Sequence, residues 1–155
     1  MPTQSIPRPK RRLSAAEIAA WEAFLLAHAA TTHALEREAG SRLGLSLGEH
    51  HLLVQLARGD PTGTRPTDLA VRSLLTKSGL TRALERLEEQ ELISRRACLT
   101  DGRVSYVVLT AKGRRAVLRA APGHFRSIAT HFADLLSPHE LDVLTTALTR
   151  VAARG

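Results

Sequence analysis

The sequence has 155 residues, 43% of them hydrophobic and 24% charged, a balance that excludes a wholly disordered chain and suits one compact domain with a packed core. Aromatic residues make up only 3%, so the core is expected to be Leu, Ala and Val packed between helices, and the one cysteine, Cys98, excludes an internal disulfide and a multi-cysteine zinc module. The net charge of +7, from 22 Lys and Arg against 15 Asp and Glu, permits a polyanionic partner without specifying one.

Residues 1–13 combine Pro2, Pro7 and Pro9 with Arg8, Lys10, Arg11 and Arg12, which reads as a flexible basic arm, either merely solvated or lying along DNA phosphates. Glu17 and Glu22 interrupt the apolar residues that follow. No signal-peptide core or membrane span results, and a cytoplasmic location is expected. Ser14 with Glu17 is a capping box, and Ile18, Trp21, Leu25, Ala29, Thr32, Leu35 and Ala39 then form one apolar stripe, which predicts a long helix ending before Gly40. After Gly44, a second helix over 46–58 carries Leu47, Leu52, Leu53 and Leu56 and stops at Gly59-Asp60-Pro61.

Thr64, Pro66 and Thr67 open a short helix with Leu69, Ala70 and Leu74 facing inward, and Leu75-Thr76 marks a turn. Thr76 or Ser78 can cap the next helix, which runs to about 90 with Leu80, Ala83, Leu84 and Leu87 on its buried face. Leu92–Leu99 and Val104–Leu109 are β-prone runs about the turn Thr100-Asp101-Gly102-Arg103, the pattern of a hairpin. Thr110 caps a helix that Pro122-Gly123 should kink or break before it continues through Leu136. Ser137-Pro138-His139-Glu140 is a further capping box, opening a last helix through Leu141, Leu144, Leu148 and Val151. The predicted fold class is therefore mainly α with a small β-hairpin wing.

Two short helices joined by a tight turn and followed by a basic hairpin are the parts of a winged helix-turn-helix, expected here over 46–110 with flanking helices at 14–45 and 111–155. The helix after the turn is thin enough to enter a major groove, where Thr76, Lys77, Ser78, Thr81, Arg82 and Arg86 offer hydroxyls and cations to phosphates and guanine edges. Glu85, Glu88 and Glu89 should point away or pair with arginines.

Asp68-Leu69-Ala70, Thr76-Lys77-Ser78-Gly79-Leu80-Thr81-Arg82, Leu87-Glu88, Leu92-Ile93 and Arg95-Arg96 together resemble the DNA-binding lobe of the MarR family. Asp101-Gly102-Arg103 and Leu109-Thr110 with Gly113 resemble that family's wing and the start of its next helix, so the likeness covers roughly 14–153. The resemblance implies a transcriptional regulator and not an enzyme: a homodimer held by its first and last two helices, repressing a promoter at a palindromic DNA operator. It also implies that residues 76–86 enter the major groove, that Arg95 and Arg96 belong to the DNA-facing lobe, that Arg103 reaches the minor groove or phosphates, and that Asp101 orients the wing. Glu91 departs from the pattern, because the family commonly has glycine there, and a left-handed backbone at a glutamate costs about 1 kcal/mol.

The family's response to small anionic or phenolic molecules makes Trp21, His28, His51 and Arg72 candidate contacts for a small organic effector, although Trp21 equally suits core or dimer packing. Glu49, His50, His51, His124 and His131 are candidate zinc ligands; His50 and His51 point about 100° apart on a helix, so a site there needs ligands from another element. No cofactor is required by this reading. Cys98 reads either as a redox switch or as an inert strand residue. The rival functions are a winged-helix protein-interaction module that does not read DNA and a zinc-responsive regulator of the same fold.

Overall fold

The computed structural model describes residues 11–97 and 105–154, with the backbone alone at 41–43. Six helices and one hairpin follow in the expected order: α1 (Ala15–Leu43), α2 (Leu47–Arg58), α3 (Pro66–Arg72), α4 (Lys77–Glu89), β1 (Ile93–Ala97), β2 (Ser105–Leu109), α5 (Ala111–His131) and α6 (Pro138–Ala152). The capping boxes expected at Ser14 and Ser137 are formed, and a third, not expected from the sequence, forms at Ser46, each with the glutamate three residues on bonded back to the cap.

The core is a leucine cluster in the lobe formed by α2, α3, α4 and the hairpin. Leu52, Leu53, Leu69 and Leu87 are almost fully enclosed, with Ile93 and Val107 of the hairpin closing one side and Ala116 of α5 another. β1 and β2 pair antiparallel with Ile93 opposite Leu109 and Ala97 opposite Ser105. Thr64 adds a bridge to Val107, its N–H donating at 3.0 Å and its carbonyl accepting at 2.8 Å, so the loop before α3 is tied to the hairpin. A side chain at Gly113 would put its Cβ 2.0 Å from the Leu92 carbonyl oxygen, which explains why the hairpin-to-α5 junction carries glycine.

Several expectations are corrected. α1 passes through Gly40, where the surroundings are open, and ends at Gly44, whose φ of 64° lets its N–H reach the Gly40 carbonyl at 3.2 Å. α5 is continuous through Pro122; the carbonyl freed by the missing N–H is that of Leu118, an exposed residue, so water can satisfy it. α5 stops at His131 rather than running to Leu136, because Phe132 leaves helical geometry and a 3-10 turn at Ala133–Leu135 follows. Ala70 and Leu74 are exposed; Leu75 packs inward instead, against Gly48, where a Cβ would sit 2.5 Å from its side chain. Most of the α1 stripe is also uncovered: Ile18, Trp21 and Leu25 are exposed, and burial begins only at Ala34 and Leu35.

Candidate nucleic-acid interface

Thr76 is the N-cap of α4, its hydroxyl accepting from the Gly79 N–H at 3.2 Å, and this cap sets the direction in which the helix leaves the turn. Leu80, Ala83, Leu84 and Leu87 then bury one face. Lys77, Ser78, Thr81 and Arg82 are left exposed on the first turns of the other. The Arg82 Nε leans back to the Ser78 carbonyl at 3.5 Å, and Thr81 Oγ1 donates to the Lys77 carbonyl at 3.2 Å. Among the described residues no carboxylate forms an ion pair with Lys77 or Arg82, so two cations and three hydroxyls, counting Thr76, share one accessible surface.

The other expected DNA-facing arginines are engaged within the lobe. Arg86 Nε lies 3.2 Å from Glu49 Oε1, a carboxylate almost wholly buried on α2. Arg95 Nε is 3.0 Å from Glu88 Oε2, which ties β1 to α4 and bears out the pairing expected for that glutamate. Arg96, on the opposite face of the strand, donates to the Thr62 carbonyl. Asp101 and Arg103 lie outside the described residues, as does Cys98.

Glu91, flagged in the sequence, has φ of 59°, so the α4-to-β1 corner does use the left-handed region despite the glutamate. Thr110 Oγ1 at 2.7 Å from the Glu91 carbonyl and Lys112 Nζ at 3.1 Å from its carboxylate hold that corner. Two features escaped the sequence reading: Arg65 stacked 5.8 Å over the Tyr106 ring, and the Glu49–Arg86 pair. Tyr106, the one tyrosine, lies in the second β-prone run, but its partner is fixed by the Thr64–Val107 bridge, which no local pattern announces.

The four effector candidates fall in three places. His28 lines an apolar cavity of about 500 Å³ between α1 and α6, with Phe24, Thr31, Phe132 and Leu148, while Trp21 sits beside it with its ring 6.0 Å from Phe24. His51 lines a cavity of about 320 Å³ between α2 and α5, with His50, Arg58, His124 and Phe125. Arg72 lines a third cavity of about 490 Å³ on the lobe, with Asp68 and Tyr106.

The five metal candidates are divided as well. Glu49 caps α2 and pairs with Arg86, and His131 Nε2 is 2.7 Å from Glu38 on α1. His50 and His124 meet with ring centroids 4.4 Å apart, and burial first, then the neighbouring histidines, holds the His50 imidazole down at about 4, far below its ordinary 6.5. Burial and His51 lower His124 too. Among the described residues no group of three His, Cys, Asp or Glu side chains is arranged to hold a metal ion. No described helix is long and apolar enough to cross a membrane.

The MarR family model matches residues 43–104. The transcriptional repressor YetL of Bacillus subtilis is 34% identical over 97 residues, which cover 63% of this chain and 58% of YetL, so the chain spans less than two thirds of that relative. AbsC, a MarR family transcriptional regulator from Streptomyces coelicolor, is 33% identical with a TM-score of 0.83, over 94% of this chain and 97% of AbsC. A second Streptomyces coelicolor member, solved in complex with DNA, is 29% identical with a TM-score of 0.86, over 94% of this chain and 91% of that one.

Proposed function

The chain belongs to the MarR family of transcriptional regulators, not to an enzyme family, and from that premise we propose that it is a sequence-specific DNA-binding regulator, acting as a ligand-responsive repressor and a homodimer on a palindromic operator. The observation that carries this reading is the accessible Thr76, Lys77, Ser78, Thr81 and Arg82 surface on the two opening turns of α4, with no acidic partner for its cations among the described residues. Hydroxyls and cations at the N-terminal end of such a helix meet base edges and phosphates when it lies in a major groove. Arg86 and Arg95 act chiefly inside the lobe, fixing α4 against α2 and β1, while Asp101 and Arg103 are assigned to the wing by resemblance alone.

The exposed apolar residues of α1 and α6 are the surfaces assigned to the second copy, and the repressor sense follows YetL. The effector is assigned to the cavities at the junction of α1, α2, α5 and α6. Footprinting the purified protein on the DNA upstream of its own coding sequence tests the reading. Protection of a two-fold symmetric site is expected, with affinity falling steeply as salt rises because phosphate contacts release counterions. Arg82→Ala should weaken that site by about 1–3 kcal/mol and relax preference at one base position, whereas Lys77→Ala should weaken all sequences alike. A protein that binds every duplex equally, or none, defeats the assignment.

A further inference from the structure

α2 touches two functional parts of the molecule through consecutive residues. Glu49 reaches Arg86 on α4, and His50, about 100° around the helix, packs its ring on His124 of α5. Both α2 side chains are buried, at 1% and 2% exposure. Neither ring nitrogen of His50 has a hydrogen-bond partner, so nothing in its surroundings favours the protonated ring over the neutral one.

The charged neighbours offer no compensation for a proton. On α2 they are His51 and Arg58, and on α5 His124 itself, all cationic when charged. From α1, Glu36 is occupied by the Leu47 N–H, and Glu38 by Ser127 and His131. Glu49 faces the other way, toward Arg86 and the α2 N-terminus.

We propose that the His50–His124 contact is a proton-sensitive latch between the dimerisation helix α5 and the recognition helix α4, closed while both rings are neutral and opened by protonation, which displaces α2 and with it the Glu49–Arg86 pair. The proposal rests on the DNA-binding reading above. The direction follows from proton linkage. A latch closed with His50 at about 4 and open with an ordinary value of 6.5 binds protons better when open, so acidification favours the open form. Between pH 7.5 and 5.5 the open-to-closed ratio rises about tenfold from His50 alone.

This sign opposes the generic one, because protonating a basic protein's surface histidines tightens its hold on DNA. The test uses a duplex selected by the full-length protein from a random-sequence pool at pH 7.5, with a chelator present and ionic strength fixed. With the open and closed forms comparably populated at pH 7.5, affinity of the native protein should fall roughly three- to tenfold by pH 5.5. His50→Phe keeps an aromatic ring without a titrating group and should reverse the trend, as should His50→Leu if the first variant folds poorly. Native affinity that holds or rises in acid overturns the latch, as does an equal fall in both variants.

Proton NMR of the two rings provides the second readout and needs no DNA. Loss of the His50–His124 cross-relaxation contact as the rings titrate supports the latch. Persistence of that contact through titration overturns it. A protein that selects no duplex defeats the DNA-binding reading, while the ring titration still decides the latch.

Discussion

The lobe and the helices that flank it handle their leucines differently. In the lobe, Leu52, Leu53 and Leu87 are wholly enclosed and Leu69 nearly so, by neighbours that all come from the same chain. In the flanks, Trp21 is 56% exposed, Leu26 72% and Val151 68%, and α6 has no buried residue at all. Apolar residues set at helical spacing thus end in opposite states in the two regions. Periodicity specifies that a face will be covered, but what covers it is decided by where the fold ends, and for α1 and α6 the fold ends before the cover is supplied. The lobe is self-sufficient, whereas the flanks call for the proposed second copy.

The same truncation made in both regions should therefore behave in two ways. Leu52→Ala empties a closed core and should lower stability by roughly 3–5 kcal/mol, independent of protein concentration, as read from urea unfolding. The double variant Leu25→Ala/Leu148→Ala should leave the lobe folded and instead weaken self-association by about 3 kcal/mol, over a hundredfold, in sedimentation equilibrium. If the double variant dimerises normally, the uncovered stripes have some other occupant.

Acid should sharpen the contrast, since the lowered histidine lies where α2 of the lobe meets α5. His50 has a folded value of about 4 against an unfolded 6.5, so its contribution is whole above pH 6.5, declines as pH falls from there to 4, and is flat below. The loss should reach about 3 kcal/mol where the contact stays closed until unfolding and far less where the latch opens first, and urea midpoints measured across that window should move least in His50→Phe. The aim is a slope confined to the window set by those two values.

Much of this was legible because it is local. Capping boxes at Ser14 and Ser137, the two β-prone runs of the hairpin, and the leucine spacing of α4 are set within a few residues, and the structure places them where the sequence does. The cationic opening of α4 was legible for the same reason. What escaped was contingent on contacts between distant segments. The Glu49–Arg86 pair exists only because α2 is brought against α4, and Pro122 reads as a kink or a break although α5 runs through it. The histidines read as a metal set because composition counts them together, while the fold sends His131 to Glu38 and His50 to His124.

The smallest expected effect concerns the corner between α4 and β1. Glu91 holds φ of 59°, a region that costs a residue with a Cβ about 1 kcal/mol, and its carboxylate meets Lys112 across an exposed surface where such a pair contributes roughly 0–1 kcal/mol. Glu91→Gly removes both the strain and the pair, and Lys112→Ala removes the pair alone. If backbone strain outweighs the ion pair, Glu91→Gly raises the unfolding midpoint while Lys112→Ala lowers it slightly. If both variants lose stability to the same extent, the pair is what holds the corner, and the glutamate is there for its charge in spite of its backbone.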